Sequence, residues 1–248
     1  MKISIITATF NSAATIRDTL QCIATQQYNN IEHIIVDGIS RDNTLEIVNQ
    51  FPHVARVVSE KDKGIYDAMN KGILQSEGDV IGILNSDDFY SSDDIINKVM
   101  EEFKDPEVEA VYGDLQYVQH DNPNKVVRTW RAGKFRKRSF YFGWMPPHPT
   151  FFVRREIYEK VGLFNLSLRS AADYELMLRA LLKNNVTVRY IPHILVKMRA
   201  GGISNASLKN RINANREDRM AWQINNLQPY FFTIWLKPAR KLFQFIIR

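Results

Sequence analysis

Apolar residues in the first third of the chain fall into short, evenly separated blocks. Residues 3–8, 31–36, 54–59 and 80–84 are strand-length apolar runs, of the kind that a sheet buried on both faces requires. Between them the pattern changes period. Ile16, Leu20 and Ile23 follow Asn11-Ser12 at i, i+4, i+7, and Ile65, Met69, Gly72 and Ile73 repeat that spacing, which predicts two amphipathic crossover helices. Buried strands alternating with such helices imply an α/β fold with a mainly parallel, doubly wound sheet and helices on both faces.

Past residue 108 the alternation loosens. Strands are expected over 110–112 and 115–118 with Gly113-Asp114 as the turn between them. A long functional loop follows, basic from Arg128 to Arg138 with Trp130 and Phe135 interleaved. It ends in Met145-Pro-Pro-His-Pro149, which no helix interior accommodates. Residues 150–153 read as a strand and 155–161 as a short helix. Tyr174, Met177, Leu178 and Leu181 mark another helix, with Asp173 near its N-terminus. A last strand over 186–190 leads through Pro192 to Gly201-Gly202, and the remainder is helical, basic and aromatic. Three parts result: 1–110, 111–205 and a C-terminal extension, 206–248.

Each parallel strand ends in polar residues: Thr7, Thr9 and Asn11; Asp37; Glu60 and Asp62; Asn85, Asp87 and Asp88. In open α/β sheets the carboxyl ends of the strands form the ligand crevice, so these side chains should converge there. Asp37 alone reads equally as a turn former, and the Asn85–Asp88 cluster as a turn capping a helix that starts near Ser92. Neither glycine-rich phosphate motif is present, so carboxylates would face a phosphate only through a metal. Asn85, Asp87 and Asp88 are hard oxygen donors suited to Mg²⁺ or Mn²⁺.

Charge divides the chain. Residues 1–127 carry 10 Lys/Arg against 21 Asp/Glu, net −11, and residues 128–248 carry 23 against 6, net +17. A basic half suits an anionic partner, or is a solvated surface. With 248 residues, 45% of them hydrophobic, the chain can bury a sizeable core. No apolar run reaches the roughly 20 residues of a membrane span. The first residues lack the apolar core of a secretory signal, and Cys22 is the single cysteine, so a reducing, cytoplasmic setting is expected. The sequons at Asn165, Asn185 and Asn205 then carry no meaning.

At these residues the chain resembles a family. The opening run Ile3-Ser-Ile-Ile-Thr-Ala-Thr-Phe-Asn11, the element Val36-Asp-Gly-Ile-Ser-Arg-Asp-Asn-Thr44 and the stretch from Glu60 to Gly72 look like those of inverting, nucleotide-sugar-dependent family 2 glycosyltransferases with the GT-A fold. The stretch from Glu60 to Gly72 resembles the form found in members that build bacterial surface polysaccharides, including colanic-acid-type enzymes. The resemblance covers about residues 1–205 and implies a nucleotide-sugar donor and a saccharide or lipid-linked acceptor. It implies that Asp37 and Asp62 contact base or ribose beside the backbone of Thr7, Ala8 and Thr9. Asn85-Ser86-Asp87 falls on the family's Asp-x-Asp motif. Its first position is Asn here, which can hydrogen-bond a ribose but is a poorer metal ligand, so the metal rests on Asp87 with Asp88 as neighbour.

Ala171-Ala-Asp173 resembles the acidic pair whose second member is the base, with Ala172 in place of the first acid. Asp173 as base would take the acceptor proton in a single displacement, giving a β-linked product from an α-linked donor; an N-terminal helix cap is the other reading. His193 and Arg199 flank the last strand, before the family's mobile loop over the diphosphate, where Arg199 could pair with phosphate or be a surface charge. His148 is placed at acceptor or diphosphate, or is incidental, and Tyr66 and Trp144 stack on sugar or base, or pack in the core.

The tail, with six Lys/Arg and Trp222, Tyr230, Phe231, Phe232, Trp235, Phe243 and Phe245 in residues 216–248, suits the inner face of an anionic membrane. Packing on its own domain or on a dimer partner is the alternative. Two other functions compete. A glycoside hydrolase would use Asp87 and Asp173 as paired carboxylates, but needs no nucleotide-side residues. Residues 128–155 as a nucleic-acid patch lack any known motif, and nucleic acid is not expected as a partner.

Overall fold

The computed structural model describes residues 1–201 and 208–243. Gly202, the Asn205 sequon and residues 244–248, including Phe245, lie outside the described residues. The four apolar runs form strands β1 (Ile3–Thr9), β2 (Ile31–Asp37), β3 (Val54–Ser59) and β4 (Val80–Ile83), paired in parallel in the order β3-β2-β1-β4. Ile3, Ile5 and Ile6 of β1 are wholly buried, which is why the run is apolar on both faces. Helix α1 (Ile16–Ala24) buries Ile16, Thr19, Leu20 and Ile23 on one face of the sheet, and α3 (Ile65–Gln75) buries Ala68, Met69, Gly72 and Ile73 on the other. A short α2 (Thr44–Val48), too brief to show a period, joins β2 to β3. The chain builds β2 and β3 on one side of β1, then crosses to β4 on the other, so the topological switch point lies between β1 and β4.

Beyond β4 come β5 (Asp88–Tyr90), α4 (Ile95–Glu102), β6 (Ala110–Val118), β7 (Val126–Trp130), α5 (Lys137–Tyr141), β8 (Phe152–Arg154), α6 (Arg155–Val161), α7 (Ala172–Met177), a π-helical turn (Leu178–Lys183) and β9 (Val188–Arg199). β8 runs antiparallel between β4 and β6, β9 lies parallel to β6, and β5 and β7 are antiparallel partners of β9 and β6.

Three expectations are corrected here. Gly113-Asp114 is not a turn but the middle of β6. Gly113 is required because a Cβ there would sit 2.5 Å from Leu195 and 2.9 Å from the His193 carbonyl oxygen. The last strand is far longer than residues 186–190, because its register skips from Ile191 to Ile194 and leaves Pro192 in a bulge, where its missing N–H costs nothing. The segment 128–149 is no open loop: Arg128 to Trp130 finish β7, and Trp144 is core, donating its indole N–H to Ala132 at 2.7 Å.

The C-terminal helices α8 (Leu208–Ile224) and α9 (Thr233–Phe243) pack on the domain. Trp222 is fully buried and donates to the Tyr174 hydroxyl at 2.9 Å, and Thr233 donates to the Tyr141 carbonyl at 2.7 Å. The tail is therefore not laid whole on a membrane. Tyr230, Phe231 and Trp235 remain exposed, at 47%, 88% and 68%. No helix among the described residues is long and apolar enough to cross a membrane.

Candidate active site

The loops that leave β1, β2, β3 and β4 are cross-linked at the switch point. Gly38 N–H donates to the Thr9 carbonyl at 2.9 Å, and Asn11 N–H to Ser40 Oγ at 2.8 Å. Asp37 is wholly buried at the end of β2. Its carboxylate accepts hydrogen bonds from the Ser40 N–H, the Ser40 hydroxyl and, at 2.7 Å, the Ser59 hydroxyl, so it holds the loop from inside. That loop carries Ile39 at φ 64°, a left-handed conformation costly for a β-branched residue. Asp62 accepts the Gly64 N–H at 2.8 Å and lies against Gly38, where a Cβ would come within 2.5 Å of Asp62 Oδ2. Asp37 and Asp62 thus share one corner, with the exposed ring of Phe10 beside them. The Thr7 hydroxyl is spent inside the fold, 3.0 Å from His33 Nε2, whereas Thr9 Oγ1 is buried with no partner among the described residues; Ala8 between them is buried.

The β4 loop is held across the switch. The Ser86 hydroxyl is 2.8 Å from that of Ser12, which follows β1, and the Thr19 hydroxyl of α1 donates to the Asp88 carbonyl at 2.7 Å. Asp88 has one oxygen, Oδ1, without a hydrogen-bond partner among the described residues. It begins β5, is wholly buried, and accepts from the Asn85 amide at 3.2 Å; burial, then the charge of Asp87, push its carboxyl well above the usual range. The turn runs into β5 rather than into the helix near Ser92, so the helix-capping reading falls.

Arg199 is no open phosphate ligand. It is 5% exposed, donates to the Asp87 carbonyl at 2.8 Å, pairs with Asp18 of α1 and lies over the Phe89 ring, clamping the β4 loop to the end of β9. Asp87 keeps a half-buried carboxylate that accepts no side-chain hydrogen bond among the described residues, and burial raises its pKa. Asn85 Oδ1 is also a buried acceptor with no partner among the described residues. Among the described residues no three His, Cys, Asp or Glu side chains cluster. One free carboxylate with neighbouring neutral oxygens still fits a hard cation of the Mg²⁺ type, which completes its shell from substrate phosphates and water.

Asp173 stands in the first turn of α7. One oxygen, Oδ1, accepts the Tyr174 N–H at 2.8 Å and the Tyr66 hydroxyl at 3.1 Å; Oδ2 accepts nothing among the described residues. The capping reading therefore accounts for one oxygen only. Tyr66 is in the first turn of α3, four residues past Asp62, so this bond ties Asp173 of α7 to the segment that leaves the Gly38–Asp62 corner. Burial, then Asp173, raise the Tyr66 hydroxyl pKa well above its usual value, keeping it a donor. Tyr66 stacks on Phe164 at 5.5 Å, and His148 meets the same ring edge-on. Burial lowers the His148 pKa while Asp173 raises it, so His148 belongs to this cluster. Burial raises the Tyr117 phenol pKa, Arg128 lowers it, and the charges of Asp88 and then Asp173 raise it. His193 does not belong: it is exposed at the β9 bulge, six residues before Arg199, roughly 20 Å of strand away.

Residues 4–162 match the sequence family described as Glycosyl transferase family 2. The chain belongs to that family. This transferase is 33% identical over 193 residues to an uncharacterized glycosyltransferase of Mycobacterium tuberculosis, covering 76% of this chain and 72% of the relative. It is 31% identical over 213 residues to a PGL/p-HBAD biosynthesis glycosyltransferase of Mycobacterium bovis, covering 82% of this chain and 78% of that one. The transferase superposes on S. aureus TarS 1-349 in complex with UDP-GlcNAc at a TM-score of 0.69 and 19% identity, over 92% of this chain and 68% of that one. On the mannosyltransferase PcManGT from Pyrobaculum calidifontis, in complex with GDP-Man and Mn²⁺, the TM-score is 0.64 at 19% identity, over 97% and 73%. Of the longer TarS chain it spans 42%. The transferase has the GT-A fold, and its family membership sets the glycoside hydrolase reading aside.

Proposed function

We propose that this transferase moves a sugar, with inversion, from a nucleoside-diphosphate sugar to a saccharide or lipid-linked acceptor in the building of a bacterial surface glycan. The observation that carries this is the Tyr66–Asp173 bond, which anchors a carboxylate with one free oxygen to the corner built by Gly38 and Asp62. In this reading the nucleoside occupies the corner beside Asp62, Asn85 and the strand-end backbone. Asp37, already saturated, shapes the loop. Asp87 is the protein's ligand for a divalent cation, which when bound neutralises diphosphate charge and eases its departure. The acceptor O–H gives its proton to Asp173, its oxygen bonds to the anomeric carbon, and the carbon–phosphate oxygen bond breaks with the electron pair leaving on the nucleoside diphosphate. Tyr66 orients Asp173 through its occupied oxygen, leaving the other for the acceptor.

The relative from Mycobacterium bovis is described as acting in PGL/p-HBAD biosynthesis, which supports a glycan or glycolipid acceptor. Exposed Phe231 and Trp235, with Arg240 exposed on the same helix as Trp235, support a cytoplasmic-face membrane contact for reaching a lipid-linked one. The direct test is a mass-spectrometric screen of UDP- and GDP-sugars with Mn²⁺ or Mg²⁺, reading sugar-dependent nucleotide release. Binding of one donor, weakened at least tenfold by Asp87→Ala only when metal is present, is expected. Donor binding indifferent to both metal and Asp87 would remove the metal assignment.

A further inference from the structure

Helix α7 has no side-chain cap at its flanking residue, Ala171, and within its first turn Asp173 Oδ1 accepts the Tyr174 N–H. The residues just ahead of the helix are held from the C-terminal extension. Glu217 of α8 receives four hydrogen bonds on a single oxygen, from the N–H groups of Arg169, Ser170 and Ala171 at 3.1, 2.7 and 3.1 Å and from the Ser170 hydroxyl at 2.9 Å. The same helix and the turn after it hold the next residues of α7. Trp222 donates to the Tyr174 hydroxyl at 2.9 Å, and Asn225 to the Glu175 carboxylate at 3.0 Å. Lys237 of α9, paired with Asp218, lies 3.6 Å from the Tyr174 ring centre. Residues 171, 174 and 175 are therefore all registered by elements that lie outside the family match at 4–162, and Asp173 is enclosed between them.

We infer that Glu217 is a positioning residue for Asp173, and that the C-terminal extension serves as the clamp that sets where the acceptor-side carboxylate points. The four bonds fix the three residues ahead of α7, so the helix cannot slide or fray at the turn that carries Asp173. A general base misplaced by about 1 Å can lose on the order of 100-fold in rate. The hydrogen bonds of Glu217 go to the backbone and hydroxyl of residues 169–171 and not to Asp173 itself, so its hold on Asp173 runs through the backbone. The inference rests on Asp173 being the base, and its test separates the two.

The full chain is compared with Glu217→Gln and Glu217→Asp. Gln keeps an acceptor oxygen at the same reach without the charge; Asp keeps the charge but withdraws it by one bond, about 1.5 Å. Amide hydrogen exchange over residues 168–178 is read first, because it needs no donor. Nucleotide release from UDP-GlcNAc, UDP-glucose and GDP-mannose with Mn²⁺ is read second. Glu217→Asp is expected to speed exchange at least tenfold at residues 169–175 and to lower kcat at least tenfold with donor KM within twofold. Glu217→Gln should stay within about threefold on both. Unchanged exchange in Glu217→Asp, or Gln more damaging than Asp, overturns the clamp. Asp173→Asn run alongside distinguishes the readings: if it keeps full turnover the base assignment fails, whereas exchange still decides whether Glu217 holds the segment.

Discussion

The region proposed to bind the donor, residues 1–110, and the region that follows, proposed to meet the acceptor, hold their chemistry in different ways. In the first, each polar side chain sits at the end of its own strand and is tied by short-range loop bonds, as Asp37 is to Ser40 and Ser59. In the second, Asp173 is placed by Tyr66 of α3 from one side and, through Glu217, by α8 from the other. A crevice built from consecutive βα units can be assembled locally. An acid that must face that crevice from a later helix needs long-range partners, because nothing next to it in sequence determines its direction. The charge division falls near that line: the acidic residues 1–127 carry the loops after β1 to β4, and the basic residues 128–248 supply α7, the extension and its exposed surface.

The largest expected effect lies on the acceptor side. Asp173→Asn should lower kcat by about 10²–10⁴-fold while donor affinity stays nearly intact, as measured by single-turnover kinetics beside a donor titration. A parallel loss of donor affinity would erase the proposed division of labour. On the donor side Gly38→Ala should do the reverse. The new Cβ meets the far end of a flexible Asp62 side chain, so the fold tolerates it, but Asp62 must leave its corner. Nucleoside-diphosphate affinity should fall about tenfold, roughly 1.4 kcal/mol, with little change in Tm.

Acid should act on the donor-side scaffold. His33 is buried on β2, bonded to Thr7 and His53, and burial pushes its pKa down to about 3 from an ordinary 6.5. The folded state holds it neutral while the unfolded chain protonates it below 6.5. Its stabilising contribution is present above that pH and is lost as pH falls toward 3, at about 1.4 kcal/mol per pH unit. Urea unfolding at pH 7 and pH 5 should show this loss, and His33→Gln should flatten it. The smallest effect is a gain: Ile39→Gly relieves the positive φ at a cost in chain entropy, for a net stabilisation of at most about 1 kcal/mol in a melting experiment. A loss there would mean that the Ile39 side chain itself holds the loop.

The first four strands and their two longer helices are legible because burial on both faces forces continuous apolar runs, and helices that cover a sheet must repeat at i, i+4, i+7. The gathering of Asp62, Asn85 and Asp87 at one end of that sheet follows from right-handed crossovers and was readable for the same reason. Strands β5 and β7 were hidden: three to five mixed residues show no period, and what makes them strands is the partner edge of β9 or β6. The clamp role of Arg199 was hidden as well, since a guanidinium looks the same in sequence whether its partner is a phosphate or Asp18.

Local pattern, then, determined by itself the alternating strands and helices, the strand-end acids and the family to which the chain belongs, because periodicity and strand-end chemistry are properties of neighbouring residues. Only the tertiary structure decided which acids stay open. Burial and the bonds from Ser40 and Ser59 closed Asp37, a hydrogen bond across 107 positions turned Asp173 toward α3, and a carboxylate from the last third of the chain gathered the N–H groups just ahead of the helix that carries it. Desolvation and partner geometry are set by residues brought together in space, and no window of sequence contains them.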